Sequence, residues 1–316
     1  MKLNLISLAV VAALGASASA HALDFTFDPT GTAGSSGDIA GVSIIDWAPG
    51  TAYAQNGSQA VNNYVLGSGS TAFTLYYQAN LGTMQAADTT PLFMNGLGGN
   101  YFTAIMGFGE RVNSVAGTTA TFTFDPTNPV NYFNIYATSA IGNNLTGAGF
   151  VNGAPILSGH LAHTDSSNFS VSNSTPVLLD QGGAGKADNW SGQQSVTGSG
   201  ASDLTFVVDS VNGNYFPDLN VAQMLILSLF NTSQVAPFNQ VDPSQCMNTD
   251  TSTCTAGGIT TVGTLGTVNG APFDGASFIF QADANQSFTV PEPGSLALLG
   301  LGLAALGVSA SRRRSA

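Results

Sequence analysis

The amino-acid sequence predicts an all-β body, a β-sandwich or jelly-roll-like fold with a barrel as the alternative, set between a short N-terminal leader and a single C-terminal apolar helix. Three observations carry this expectation. Apolar and aromatic residues recur in short alternating runs bounded by Gly, Asn and Pro, the pattern of half-buried strands. No long stretch shows clean helical periodicity. The two ends of the 316-residue chain also differ in composition from everything between them.

At the N-terminus, Lys2 is followed by an apolar run from Leu3 to Leu14 and then by small residues from Gly15 to Ala22. Charge, apolar run and small residues in that order form the pattern of a secretory signal peptide, and cleavage after Ala22 starts the mature chain at Leu23. Residues 1–22 are therefore read as leader, 23–290 as an exported β-rich body and 291–316 as a tail. The tail opens on Pro291-Glu292-Pro293, where each proline fixes its own φ and removes a donor, so no strand or helix runs through it. Leu296 to Ala310 is uncharged, and Arg312, Arg313 and Arg314 follow. As a transmembrane helix that run spans roughly 22 Å, short of a hydrocarbon core of about 30 Å. The arginines are expected to stay cytoplasmic, which puts the body across the membrane.

Within the body, Leu23 to Phe27 alternates before the turn residues Asp28-Pro29-Thr30-Gly31. Ala72 to Gln78, Tyr101 to Phe108, Ala120 to Phe124 and Tyr132 to Ala137 combine aromatics with Thr and Ile and read as strands. Leu204 to Val208, Met224 to Phe230, Thr260 to Val268, Ser277 to Gln281 and Ser287 to Val290 continue the series. Val221 to Phe230 has the length of a buried helix, but its Asn flanks and its neighbours favour a core strand. The hexapeptide Phe25-Thr26-Phe27-Asp28-Pro29-Thr30 recurs as Phe122-Thr123-Phe124-Asp125-Pro126-Thr127. It is read as one strand-then-turn solution used twice.

Composition excludes several partners. Charged residues make up 8% of the chain, against about 25% in an ordinary soluble domain. Only Arg111 and Lys186 are basic within the body, against seventeen acids, for a net charge of −15. Nucleic-acid binding is driven by basic side chains on phosphates, so no nucleic-acid partner is expected, nor adhesion to anionic lipid. With 43% hydrophobic residues the chain has enough apolar surface to fold.

Cys246 and Cys254, in one polar stretch of an exported chain, are expected to form a disulfide that closes a short loop. Catalytic chemistry finds no motif. Glu110 is the only glutamate in the body, and the spacing of Asp203, Asp209 and Asp218 matches no glycosidase signature. His160, His163 and Asp165 are metal-ligand types, but residues three apart on a strand face opposite ways. Asp209 to Asn214 resembles a calcium loop without its later acidic ligand and is read as a turn. No catalytic residue, metal site or cofactor is assigned. Trp47, Tyr53, Tyr64, Tyr76, Tyr77 and Trp190 can supply stacking faces for sugars on a surface of hydroxyls and amides, but on composition alone the stronger reading is that the same residues fill the core and solvate loops.

Proline-glutamate-proline, a Gly-rich apolar run and terminal arginines closely resemble the PEP-CTERM sorting domain of exported bacterial proteins. The stretches LDFTFDPTG (Leu23 to Gly31), FNTSQVAPFNQVDPS (Phe230 to Ser244) and FIFQADANQSFTVPEP (Phe278 to Pro293) are similar to the flocculation-associated group of such proteins. The resemblance implies an exosortase-type membrane processing enzyme as partner, transient inner-membrane anchoring, and a final place at the cell surface or in the extracellular matrix. It also implies a non-enzymatic role in floc or biofilm formation through extracellular polysaccharide. Two other readings stay open: a glycan-active hydrolase on a β-sandwich, and a self-assembling structural protein whose partner is another copy.

Overall fold

The structure, a computed structural model, describes residues 23–32, 34, 37–143, 148–178, 194–219, 221, 226–236 and 278–289. The leader, Trp190, Cys246 and Cys254, the expected strand from Thr260 to Val268, and residues 291–316 lie outside the described residues.

Strands run in the order β1 (Phe25–Phe27), β2 (Ile39–Val42), β3 (Ile44–Gln55), β4 (Ala72–Gln85), β5 (Pro91–Met94) and β6 (Tyr101–Ala116). They continue through β7 (Thr119–Phe124), β8 (Asn131–Thr138), β9 (Leu157–Leu178), β10 (Gln194–Val211), β11 (Ile226–Ala236) and β12 (Phe278–Thr289). Alternation dictates which face is buried. On β4, Phe73, Leu75, Tyr77, Ala79 and Leu81 join the main core, and on β6 Phe102, Ala104, Met106, Phe108 and Val112 do the same.

The all-β body expected from the sequence is present, and its sheet closes on itself. β4 pairs with β6 from Ala72↔Arg111 to Asn80↔Thr103. In the other direction β4 leads through β3, β12, β11, β10 and β9, and β9 returns to β6 by way of β7 and β8. β8 lies along Tyr101 to Phe108 of β6 and β7 along Glu110 to Ala116, so the two short strands sit end to end between β6 and β9. The sandwich expectation of two stacked sheets is thus replaced by a ring of antiparallel strands. Length is the physical reason: β6 has 16 residues and β9 has 22, enough for each to hold two shorter partners. Closure removes the open edge that a sandwich leaves exposed.

β3 shows how a strand is adapted to the ring. Ile45 and Trp47 face the core at odd positions, whereas Ala52 and Ala54 do so at even ones. The register shift between Trp47 and Thr51 makes the exchange, across Ala48-Pro49-Gly50. Pro49 has no N–H to lose from the ladder, and a Cβ on Gly50 would lie 2.2 Å from the Gln78 carbonyl oxygen.

Two local expectations are corrected, and a third is met in the direction the sequence favoured. A helix, α1 (Gly57–Leu66), was not legible because only Gly57 and Ala60 are buried along its ten residues, too few to set a period. Gly67 ends it in the left-handed region, and Ser68 N–H bonds back to the Asn63 carbonyl. The two strands expected at Ser277 to Gln281 and Ser287 to Val290 are one, β12, since Ala282 and Ala284 continue the inward series begun by Phe280. The helix-or-strand ambiguity at Val221 to Phe230 resolves as β11, which begins at Ile226 and runs on to Ala236.

The two ends of the ring differ. At one end the small β1–β2 sheet inserts Phe25 and Phe27 among Phe93, Phe102, Phe216 and Phe288, with ring centroids 5.0–6.0 Å apart. This aromatic plug fills that end. The twin hexapeptides form the same turn: Asp28 Oδ1 accepts from Thr30 N–H and Oγ1 at 2.8 and 2.7 Å, and Asp125 Oδ1 accepts from Thr127 N–H and Oγ1 at 3.1 and 2.6 Å. Asp125 also accepts from Arg111 at 3.0 Å. Burial raises the Asp125 pKa, but the Thr127 and Arg111 bonds outweigh it and hold the carboxyl below its usual value. Because both aspartates are buried, D28A and D125A should each destabilise the fold by about 1–3 kcal/mol. The double variant should lose nearly the sum in urea unfolding, since the turns share no partner.

Candidate functional site

Among the described residues, the end of the ring opposite the plug is open. Phe73 and Leu75 of β4, Phe122 of β7, Phe169 of β9 and Phe280 of β12 line a cavity of about 460 Å³. Ser58, Val61, Asn62 and Val65 of α1 and the turn Gly117-Thr118-Thr119 border the same space. Tyr64 ties the helix to the rim, its hydroxyl donating to the Asn113 carbonyl at 3.0 Å.

One acid stands in this apolar setting. Glu110 follows Phe102, Ala104, Met106 and Phe108 in the inward register of β6, so its carboxyl is carried into the cavity and is only 2% exposed. Its backbone is fixed on both sides, opposite Phe73 and Phe124. Desolvation pushes its pKa up from 4.5 to about 7, against a smaller lowering by the Ser167 hydroxyl. Oε1 has no hydrogen-bond partner. The remaining polar side chains of the lining, Ser58, Asn62, Thr118, Thr119 and Ser167, carry no charge. Sequence reasoning noted Glu110 as the sole glutamate of the body but missed the signal in its parity, which is that of its four inward neighbours.

The aromatics weighed as sugar platforms lie elsewhere. Trp47 is inside the ring, where its Nε1 donates to Gln286 Oε1 at 2.7 Å. Tyr77 shares the inward register of β4. Tyr53 and Tyr76, on the other face of β3 and β4, stack at 6.5 Å and are 1% and 7% exposed. Of the six aromatics only Tyr64, at 38%, is an exposed side chain among the described residues. Trp47, Tyr53, Tyr76 and Tyr77 are thus buried, as the core-filling reading of the composition has it.

The histidines and aspartates are dispersed into separate pairs. His160 Nδ1 meets Asp209 at 2.9 Å, and His163 Nε2 meets Asp165 at 3.0 Å. Asp203 accepts from Ser166 at 2.8 Å, and Asp218 accepts from Thr26 N–H at 3.0 Å. Asn212 begins a turn closed by Tyr215 N–H. Among the described residues, no three His, Cys, Asp or Glu side chains are grouped to hold a metal ion. What β9 and β10 do present outward is a row of hydroxyl pairs and their partners. Ser158 meets Ser210 at 2.6 Å, Ser166 meets Asp203, and Thr119 meets Ser170 at 2.6 Å on the adjoining β7.

Comparison with known proteins bears on the tail. Residues 289–314 match the family model of the PEP-CTERM protein-sorting motif. The chain carries a PEP-CTERM sorting motif. The match takes in Pro291, Glu292, Pro293 and all three arginines, the residues on which the sequence reading rested. A PEP-CTERM motif implies an exported protein, held transiently by its C-terminal region and processed by an exosortase. No curated protein and no solved structure matches the chain. Among the described residues, no helix is long and apolar enough to cross a membrane.

The raised pKa of Glu110 makes stability depend on pH in a defined direction. The folded state holds a proton that the unfolded chain releases near 4.5, so this contribution is fully present below about 4.5 and lost as pH rises through about 7. The loss amounts to about 3 kcal/mol. Asp46 and Asp283, also raised by burial, act in the same sense. Urea unfolding across this range should show stability falling with pH, and E110Q should remove most of that slope.

Proposed function

We propose that this PEP-CTERM protein is a non-enzymatic surface or matrix protein that promotes floc or biofilm formation by associating with extracellular polysaccharide. The observation that carries the reading is a sorting motif joined to a body of net charge −15 with almost no basic residues. Its long outer strands β9 and β10 offer hydroxyls and carboxylates in a row. Such groups exchange hydrogen bonds with sugar hydroxyls one contact at a time. Many copies on one polymer then raise a modest single-site affinity. The burial of Trp47, Tyr53, Tyr76 and Tyr77 shifts the proposed contact from aromatic stacking to this polar face. A glycan hydrolase ordinarily needs two carboxyl groups about the scissile bond, and Glu110 is the single carboxyl among the cavity residues described.

Two experiments test the reading. Deleting residues 291–316 should send the body into the medium and abolish its contribution to flocs; normal flocs from that strain would refute the sorting role. Purified protein should be retained on insoluble exopolysaccharide from the producing strain without releasing soluble sugar. The triple variant S158A, S166A and S210A should reduce retention several-fold with little change in melting temperature, and sugar release would overturn the non-enzymatic reading.

A further inference from the structure

The open cavity is distinct in kind from the outer polar face. At about 460 Å³ it falls in the range of small-molecule sites, roughly 300–1,000 Å³, and holds one small ligand rather than a polymer. A closed ring of about eight strands has an interior of this capacity when side chains do not fill it. Here the aromatic plug fills one end, and the space remaining at the other is walled by four phenylalanines.

The chemistry at the base of the cavity restricts what enters. Glu110 Oε1 is buried and unpartnered, so a ligand group that donates a hydrogen bond would meet an unmet acceptor. Among the described residues no basic side chain lines the cavity, and Arg111, the next residue after Glu110, is on the opposite face with Asp125. An anionic head group would face a carboxyl in an apolar setting with no cation to offset it. A cationic head group instead supplies both the donor and the charge. The net charge of −15 on the body also raises the local concentration of cations at its surface.

We propose that this cavity binds a small amphiphilic amine, its apolar tail packed against Phe73, Phe122, Phe169 and Phe280 and its ammonium group on the Glu110 carboxylate. Val61 and Val65 of α1 border the cavity, so the helix forms one side of the entrance. Protonating Glu110 removes the ion pair but leaves the apolar contacts. With no other titratable side chain among the described lining residues, amine affinity should weaken as pH is lowered through the range in which this carboxyl titrates.

Octylamine, octanol and octanoate share one tail and differ only in head group. Isothermal titration of each into the full chain in lipid nanodiscs, with empty nanodiscs as blank, separates binding from partitioning. Octylamine should bind about tenfold tighter than octanol near pH 8, and octanoate weakest. Lowering the pH to about 6 should weaken octylamine several-fold and leave octanol unchanged. E110Q should bring the amine to within about threefold of the alcohol, while A120F, which narrows the cavity and keeps the acid, should weaken all three. Octanoate binding as tightly as octylamine, an amine preference that survives E110Q, or no saturable heat from any of the three would overturn the proposal.

Discussion

Pairing along β6 is the interaction on which the rest of the molecule depends. This one strand is bonded to β4 along one edge and to β8 and β7 in succession along the other. Without the β4–β6 ladder the strands from β3 to β12 would form an open sheet with two bare edges, each a row of unpaired N–H and C=O groups. With it, inward side chains of distant strands meet in one core of Phe, Leu, Met and Ala. The strict alternation of Phe102, Ala104, Met106 and Phe108 is what lets β6 present a continuous apolar face to that core.

Closure also creates a division of labour between the two ends. The N-terminal strand β1 contributes few residues, but Phe25 and Phe27 are fully buried and complete a cluster drawn from β5, β6, β12 and the turn after β10. Leu23 N–H, at the expected start of the mature chain, bonds the Phe288 carbonyl at 2.7 Å and fastens this segment to β12. At the opposite end no comparable plug enters from the described residues. The inward register of β6 continues to Glu110, and the same alternation that builds the core carries an acid into an apolar space. That placement costs desolvation, which is visible in the raised pKa of the carboxyl. The cavity and the polar outer face are thus two consequences of one ring.

Particular residues show how much of the candidate sites was legible. The sorting motif was readable because its information is local: two prolines, an uncharged run and three arginines act through order and composition, and no folding partner is needed to define them. The twin FTFDPT turns were readable for the same reason, since Asp bonds Thr two residues on within each turn. Burial of Trp47, Tyr53 and Tyr76 was not readable, because it depends on which strands lie alongside β3 and β4. The helix α1 escaped for a related reason. Its stability comes from docking at the rim through Tyr64 and Ala60 rather than from an amphipathic period.

The sequence by itself determined the all-β character of the body, most of its strands, its charge and the sorting signal, all of which rest on alternation, composition and neighbours a few residues apart. Tertiary structure alone decided that the sheet closes, that Phe25 and Phe27 plug one end, and that Glu110 lies with Phe73, Phe169 and Phe280 around one cavity. Those residues come from β4, β6, β9 and β12, separated by tens to hundreds of positions. Alternation tells each side chain which face of its strand it occupies, but only hydrogen-bonded pairing between distant strands tells it which others share that face.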